Sequence, residues 1–522
     1  MDALILWCEH TECPSGRAQH RLVARRKEAR YACSPEFEEW SEEQVRQHLW
    51  STRRPKVHSV TQLLLSCCLT LGFCSILAAQ EPLHLTLRVD VTLERGSLAS
   101  RACLSQLPPS SRYAFILHRG LNIKSIRDGA GTLRRYAGYE GGTFIGEGVL
   151  YTVLDTIAPG DSLCVEYVGA FPVYAVERGD FSTPDYKGFI AFNGRTVRAA
   201  EQSKWYPILY DSTRGTRAFE SVTYDAVVRC SDCRGIYLNG DEPKAGPEAE
   251  FRSDLPVPLL LFAGEFRTER LGSLIVINAT PHDLSRRGAE MLAGVVDSIR
   301  GYYESWLGIP YGPRLVFLQH TITENNPRRH WGFVTYPTVA FSNEGFAAFV
   351  DDAGGSVSPF LWPYLGHEMA HYYFGTLLKG RGPYFWFLVE SLAEYLSLQI
   401  VRHFQGDSAF RARIAPYAGH AVTDTVSVRF DEIAAAGQVH DRYRYEYGPL
   451  LMVALDEAVG TDAMRELLAS LLRQPDRLWD YASIRDAALA AGVTPDIWQR
   501  FEVSCIRPSF ESGCLSRYLV RE

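Results

Sequence analysis

The chain has 522 residues, of which 46% are hydrophobic, 12% are aromatic and 22% are charged. This length predicts two or three domains with sizeable buried cores rather than one compact unit. The formal net charge is −7 and the sequence contains no long basic run. We therefore expect no nucleic-acid partner.

The N-terminal region is dominated by one apolar stretch, "VTQLLLSCCLTLGFCSILAA" at residues 60–79. Basic residues precede it and small residues end it, which is the layout of a secretory signal. Its position is unusual, because residues 1–55 come before it. Either residues 56–80 form a signal anchor that is long enough to span a bilayer, or residues 1–55 are a doubtful extension ahead of a cleaved signal peptide. We favour the second interpretation.

Both interpretations predict an exported protein that is periplasmic, on the cell surface or secreted, with membrane contact only through residues 60–79. The cysteines agree with export, since an even set of six follows the apolar stretch: Cys103, Cys164, Cys230, Cys233, Cys505 and Cys514. Such a set suits an oxidising compartment. Closeness in sequence pairs Cys230 with Cys233 and Cys505 with Cys514. The segment "CSDC" also resembles half of a zinc knuckle, but the chain has no second C-x-x-C, so we favour a disulfide.

Residues 81–265 favour β-strands. The segment "LHLTLRVDVTLE" alternates apolar and polar residues, and "SLCVEYVGAF", "AFESVTYDAVVRC" and "VPLLLFAGEF" are further short runs of branched or aromatic residues. Turn segments such as "APGD" and "NGDEP" separate these runs. The pattern predicts a β-sandwich or a saddle-like sheet.

The hydrophobic period changes near residue 282, where "HDLSRRGAEMLAGVVDSIRGYYESWLG" has helical spacing. "RLVFLQ" is a predicted strand, and "HWGFVTYPTVAFS" is a predicted strand or hairpin. A helix is expected from about Trp362 to the break at "GRGP", and a second one at "WFLVESLAEYLSLQIVRHF". After about residue 446 we expect helices to the end. The predicted fold class is α+β and multidomain, with residues 266–475 forming a second domain and residues 476–522 a short helical tail.

The segment "GHEMAHYYFG" at residues 366–375 carries the strongest chemical signal. On a helix, His367 and His371 point to one side and can bind one ion, and Glu368 can reach a water molecule on that ion. Zinc in a catalytic site needs three protein ligands. Glu390 on the next helix would complete a two-His, one-Glu set, and Glu394 would accept a hydrogen bond from a ligand histidine.

A solvated stripe of carboxylates is the alternative interpretation of Glu390 and Glu394. It is less favourable, because "WFLVESLAEYL" must be largely buried and an unpaired buried carboxylate is costly. The sequence therefore predicts one Zn²⁺ per chain.

These segments resemble the aminopeptidase N and leukotriene hydrolase family of gluzincin zinc peptidases, whose pattern is H-E-x-x-H-x18-E. "YYESWLGIPYGPRLVFLQ", "WGFVTYPTVAF", "YEYGPLLMVAL" and "KWYPILYD" resemble further motifs of that family, in the same order. The resemblance implies a thermolysin-like catalytic domain at residues 266–475 that acts on a peptide or protein substrate. It assigns zinc binding to His367, His371 and Glu390, the general base to Glu368, and contact with the tetrahedral oxyanion to Tyr445.

The sequence departs from the family at the G-x-M-E-N motif, whose glutamate grips the substrate amine. In "NNPRRHWG" Arg329 stands in the place of that glutamate and His330 in the place of the asparagine, and an arginine repels an ammonium group. Glu201 in "AAEQSKWYP" lies near a second amine-binding position of the family. The resemblance implies aminopeptidase activity, but we expect poor recognition of an N-terminal amine.

The sequence predicts an exported zinc-dependent peptidase. The short segment after Tyr445 leaves no room for the large C-terminal helical domain of many family members, and the resulting open cleft favours endopeptidase or broad peptide hydrolysis. The alternative is a catalytically weak gluzincin-like module that binds peptides or a partner. Retention of Glu368 favours the enzyme, because a binding module has no need of a base. No oligomeric state follows from the sequence.

Overall fold

A computed structural model describes residues 82–518, except for positions 111, 139–143, 159, 175–184, 212–216, 281–283, 313, 322–330, 343–344, 352–354, 424–427, 476 and 508–513. The apolar stretch at residues 60–79 lies outside the described residues, and so do Arg329 and His330. Within the described ranges, no helix is both long enough and apolar enough to cross a membrane.

The first half of the described chain consists of β-sheets. A six-stranded sheet has the order Glu248–Pro258, Ser221–Cys230, His84–Thr92, Ser97–Ser105, Leu163–Ala170 and Leu121–Asp128. Its buried residues alternate along the strands, as in the iBeBeBeBi pattern of the strand His84–Thr92. Because side chains of a strand point alternately to the two faces, this pattern buries one face of the sheet and leaves the other to solvent.

Two further sheets complete this β region. One has the order Lys244–Ala245, Gly235–Leu238, Leu261–Gly264, Thr196–Ala199 and Ala191–Phe192. The other has the order Arg217–Phe219, Ile208–Asp211, Ala114–His118, Gly148–Val153 and Tyr136–Ala137, with Phe144–Ile145 also paired to Gly148–Val153. One hydrophobic core is shared by the three sheets. A 3₁₀ turn at Glu201–Ser203 leads out of the strand Thr196–Ala199.

All six cysteines of the described residues form disulfides. The pairs are Cys103–Cys164, Cys230–Cys233 and Cys505–Cys514. Cys103 and Cys164 face each other across neighbouring antiparallel strands. The segment "CSDC" is therefore a disulfide turn, and the predicted pairs are confirmed.

A fourth sheet, which contains both parallel and antiparallel strands, begins the helical half. Its order is Arg267–Leu271, Leu274–Asn278, Leu315–His320, Thr338–Ser342 and Gly332–Thr335. Helix α1 (Arg286–Leu307) connects two parallel strands of this sheet, begins at the N-cap Ser285 and ends at Gly308. The predicted hairpin consists of Gly332–Thr335 and Thr338–Ser342. Gly332–Thr335 is the last strand of the sheet and therefore an edge strand. A two-stranded ribbon, Val350–Asp351 with Ser356–Val357, follows a 3₁₀ turn at Gly345–Phe349.

The remaining chain is helical. Its α-helices are α2 (Leu361–Ala370), α3 (Leu392–Thr423), α4 (Gly448–Val459), α5 (Thr461–Leu472), α6 (Tyr481–Ala490) and α7 (Pro495–Phe501). Single π turns lie at Phe387–Ser391, Tyr443–Tyr447 and Glu502–Ile506, and 3₁₀ turns at Phe430–Glu432, Ala436–Gln438 and Cys514–Tyr518. These helices, α1 and the mixed sheet share one hydrophobic core.

The predicted end of α2 is wrong. The helix stops at Ala370, well before "GRGP", and a compact turn follows in which the Gly375 amide donates to the Leu378 carbonyl at 2.8 Å. Gly375 has a φ of 137°, which favours glycine strongly. The aromatic run "YYF" gave an apolar helical pattern across this turn, so the periodicity alone extended the helix too far.

The two halves meet through a small apolar cluster and buried polar contacts. Tyr237 and Phe262 from the β region pack with Ile277, Trp331 and Phe333 from the second half. The Asn239 side-chain amide also donates to the Tyr336 carbonyl at 2.7 Å. The fold is α+β, as predicted, and the β region covers one face of the mixed sheet.

Candidate metal centre and active site

Two histidines lie together at the C-terminal end of α2. His367 is in the last turn of the helix and His371 directly follows it. Their ring centroids are 4.8 Å apart and the ring planes are nearly perpendicular, at 89°. The spacing of four residues therefore places both imidazoles on one side of the helix, as expected from its geometry.

Gly366 allows the neighbouring helix α3 to approach α2 closely. A Cβ atom at this position would lie 3.2 Å from Ile400 Cγ1 and 3.3 Å from the Cα of Ser397. At the same crossing the Ser397 hydroxyl donates to the Pro363 carbonyl at 2.8 Å. The glycine before the first histidine thus keeps the two helices in contact, and acidic side chains at the start of the second helix can reach the imidazoles.

Glu390 completes a three-residue cluster. It lies in the π turn Phe387–Ser391, just before α3. Its Oε2 is 3.5 Å from His367 Nε2 and 3.5 Å from His371 Nε2. One ligand atom from each of the three residues lies within 4.8 Å of the others. The structure thus brings together the three residues that the sequence proposed as metal ligands.

The other nitrogen of each imidazole faces an acceptor. His367 Nδ1 lies 2.9 Å from Glu394 Oε2, and His371 Nδ1 lies 3.1 Å from the Phe374 carbonyl. A proton on each Nδ1 leaves the lone pair of Nε2 directed at the cluster. Two atoms that are each about 2.1 Å from one tetrahedral zinc ion lie about 3.4 Å apart. Both the donor types and their separations therefore fit a zinc ion.

Glu394 is fixed by residues from the far part of α3. Arg413 Nη2 donates to Glu394 Oε1 at 3.1 Å, and the Tyr417 hydroxyl donates to the same oxygen at 2.6 Å. Burial acts to raise the pKa of Glu394, but the Arg413 charge and the contact with His367 keep this pKa below its usual value. The carboxylate therefore stays ionised and can hold the orientation of the histidine.

A break in α3 makes this support possible. Gly406 has a φ of 90° and a ψ of 169°, which are not helical values. The chain bends there, so that Arg413 and Tyr417 return to Glu394, although they follow it by 19 and 23 residues. Glycine adopts such a positive φ at little cost.

Strong electrostatic coupling characterises the cluster. Burial acts to lower the pKa of His367, but Glu390 and Glu394 raise it to about 10. Burial acts to raise the pKa of Glu390, but the charge of His371 and contacts with His367 lower it to about 2. Burial raises the pKa of Glu368 to about 7, against the charge of His367. A metal ion that binds here would displace the proton on His367 Nε2.

Tyr445 reaches the cluster from the π turn Tyr443–Tyr447. Its hydroxyl interacts with Glu390, and its ring centroid is 5.9 Å from that of His367. Burial raises the pKa of Tyr445, and the charges of Glu390 and Glu368 raise it further. The phenol therefore stays protonated and can donate a hydrogen bond into the site.

The π turns that carry Glu390 and Tyr445 pack directly on each other. A Cβ atom on Gly448 would lie 2.3 Å from Ser391 Oγ, so only glycine permits this approach. The Arg444 guanidinium lies 4.0 Å above the ring of Trp386, the residue before the first π turn. A cation–π contact of this kind adds to the attachment of the two turns.

Of the predicted substrate-binding residues, the structure describes only Glu201. Glu201 is buried, and both of its carboxylate oxygens have partners: Lys187 Nζ lies 2.6 Å from Oε1, and the Thr335 hydroxyl donates to Oε2 at 2.8 Å. Arg329 and His330 lie outside the described residues. Sequence reasoning missed Lys187, Arg413 and Tyr417, because none of them belongs to a motif and each reaches the site only through the tertiary fold.

Comparisons with known proteins agree with this architecture. The chain matches no protein-family model. It is 22% identical over 203 residues to the tricorn protease-interacting factor F2 of Thermoplasma volcanium, a match that covers 37% of this chain. The chain spans about a quarter (24%) of the length of that curated relative.

Solved structures match over most of the chain. The yeast leukotriene A4 hydrolase structure has a TM-score of 0.61 at 12% identity, and the match covers 84% of this chain and 68% of the hydrolase. An M1 zinc metallopeptidase of Deinococcus radiodurans has a TM-score of 0.54 at 17% identity, with 81% and 94% covered. Another structure of that protein holds a Tyr-Ser-Ala substrate. The chain therefore has the fold of the leukotriene hydrolase and M1 zinc metallopeptidase structures, which confirms the resemblance at the level of the fold.

Proposed function

We propose that the protein is a zinc-dependent peptidase with one Zn²⁺ per chain. The observation that carries this proposal is the convergence of His367 Nε2, His371 Nε2 and Glu390 Oε2, with both Nδ1 atoms fixed by acceptors. The catalytic carboxylate of Glu368 lies on the same helix as the histidines. A peptide substrate bound to a structural neighbour supports the same class of substrate here.

Each residue of the site has a defined task in this proposal. A zinc ion held by His367, His371 and Glu390 would supply Lewis acidity, which lowers the pKa of a water molecule to about 7. Glu368 takes the proton from the attacking water and passes it to the nitrogen of the leaving amine. Glu394 holds the His367 ring in the orientation that exposes Nε2 to the ion.

Tyr445 stabilises the negative charge that develops on the carbonyl oxygen of the substrate. Its hydroxyl is already in the site through its contact with Glu390. A donor aimed at charge that appears only in the transition state lowers the barrier without tightening substrate binding.

Replacing Tyr445 with phenylalanine is expected to lower kcat about 10²- to 10³-fold with little change in KM, as for loss of one oxyanion donor. The matched control is Tyr443→Phe, which removes a buried hydroxyl of the same π turn that has no hydrogen-bond partner among the described residues. Steady-state kinetics on one peptide measure both variants. Equal losses for the two substitutions would show that Tyr445 acts only through packing.

The proposed substrate range rests on the charge of the residue at position 329. Arg329 in place of an acidic residue disfavours a free N-terminal amine, so blocked peptides and internal bonds are the proposed substrates. His330 is proposed to lie in the same substrate-binding segment. The three disulfides support export, because such bonds persist in an oxidising compartment.

Metal removal tests the proposed function directly. The purified protein is expected to contain about one zinc ion per chain by elemental analysis and to cleave members of a mixed peptide library, detected by mass spectrometry. Dialysis against a chelator should abolish cleavage, and added Zn²⁺ should restore it, because the three ligands provide the only fixed positions for the ion in this proposal. Zinc-loaded protein that binds peptides without cleaving any would favour the binding-module alternative.

A further inference from the structure

A buried ammonium group bridges the β region and the mixed sheet. Lys187 is 8% exposed, and its Nζ lies 2.6 Å from Glu201 Oε1. The same ammonium donates to the carbonyl of Val334. A buried lysine of this kind keeps its charge only with such partners, because an unpaired charge away from water is costly.

The partners of Lys187 belong to the strand at the edge of the mixed sheet. Val334 and Thr335 lie in the edge strand Gly332–Thr335, and Thr335 donates to the second oxygen of Glu201 at 2.8 Å. The ammonium is therefore fixed by the carboxylate and the strand together.

This edge strand lies against the catalytic helix α2. A Cβ atom on Gly332 would lie 2.1 Å from the hydroxyl oxygen of Tyr364. Tyr364 is one helical turn before Glu368, so the two side chains share a face of α2. The strand that fixes Lys187 therefore packs on the helix that carries Glu368.

The ammonium has donor capacity left for a substrate. It carries three N–H groups. Among the described residues, Glu201 and Val334 accept from two of them, and the centroid of the Phe333 ring lies 5.7 Å from the nitrogen. A carbonyl or carboxylate oxygen can accept from the third, whereas a second ammonium would be repelled. Glu201, which would otherwise attract an amine, has one carboxylate oxygen in contact with Lys187 and the other with Thr335.

We propose that Lys187 is a specificity-determining residue that excludes a free N-terminal amine from the substrate cleft and favours peptides that present an acyl or amide oxygen there. The preferred substrates are accordingly N-acylated peptides and internal bonds of longer peptides. This inference rests on the proposed peptidase activity and names the class of substrate for that site.

Two peptides of one sequence, with a free or an acetylated N-terminus, test this inference on the zinc-loaded full chain. The peptides are chosen so that the scissile bond follows the first residue, and the measured quantity is the ratio of kcat/KM for the acetylated peptide to that for the free peptide near pH 7. For the wild type we expect a ratio of about ten or more, because like charges oppose each other in the cleft.

The variants separate the charge of Lys187 from that of its partner. Lys187→Arg keeps the positive charge and should keep the ratio, whereas Lys187→Met leaves the Glu201 carboxylate to attract an amine and should lower the ratio the most. Lys187→Met with Glu201→Gln removes both charges and should give an intermediate ratio below that of the wild type, because the effect proposed for Arg329 remains. The double variant avoids an unpaired buried carboxylate, so it provides the test if the single variant does not fold.

An unchanged ratio in the double variant would overturn the role of Lys187, and so would a wild type that prefers the free amine. These results leave the peptidase activity in place. By contrast, failure of the zinc-loaded wild type to cleave either peptide, or any member of the mixed library, would contradict the proposed function itself.

Discussion

Replacing Glu368 with glutamine is expected to lower kcat/KM for peptide hydrolysis about 10²- to 10⁴-fold, the usual contribution of a general base. The amide has nearly the same shape as the carboxylate but cannot take a proton from water. Because Glu368 is not among the three residues that face the metal position, the zinc content should stay near one ion per chain. Stopped assays of a single peptide and elemental analysis measure both quantities.

Glu368→Asp provides the matched control for this substitution. It keeps a base but withdraws it by one methylene group, so it should retain more activity than the glutamine variant. If wild type and Glu368→Gln hydrolyse peptides at the same rate, the carboxylate takes no part in the chemistry. If neither hydrolyses peptides while both bind zinc, the binding-module alternative gains support.

The parts of the fold that depend on local pattern could be predicted from the sequence. Alternation indicates the strand His84–Thr92, short runs of branched or aromatic residues indicate strands such as Leu163–Ala170 and Ser221–Cys230, and helical spacing indicates α1. The N-cap Thr494 of α7, with Pro495 at the first helical position, is a start signal that residue type alone provides. Such signals are contained in a few neighbouring residues, so no tertiary information is needed.

The three-residue cluster could be proposed because its spacing is partly local. His367 and His371 are fixed by one helical turn, and only Glu390 requires the approach of a second element. Gly366 permits that approach, which a sequence pattern does not reveal. The end of α2 was predicted wrongly, because the turn after His371 depends on a positive φ at Gly375 rather than on hydrophobic periodicity.

The supporting residues could not be predicted, because the fold brings them from distant parts of the chain. Arg413 and Tyr417 reach Glu394 only because α3 bends at Gly406. Lys187 reaches Glu201 and the edge strand from the β region, more than a hundred residues before Val334. The residues next to a long side chain in the sequence do not determine which distant group it contacts, so its partner is known only from the tertiary fold.

The contrast between Glu390 and Glu394 gives the second large expected effect. Replacing Glu390 with glutamine removes a charged ligand and should weaken zinc affinity by more than about 100-fold. Replacing Glu394 with glutamine leaves all three ligands in place and alters only the support of His367, for which a loss of about 10- to 100-fold is typical. Competition with a chelating dye measures both affinities on the same scale.

A second measurement reports what each carboxylate contributes to stability without the metal. In the presence of excess chelator, Glu394→Gln should lower the melting temperature, because it leaves the Arg413 guanidinium without the carboxylate it contacts at 3.1 Å. Glu390→Gln leaves no arginine without its carboxylate, but it removes a charge that the histidines stabilise, since His371 and His367 lower the pKa of Glu390 to about 2. We therefore expect the metal-free Glu390 variant also to melt below the metal-free wild type near pH 7. If its zinc affinity matched that of the wild type, Glu390 would not be a ligand.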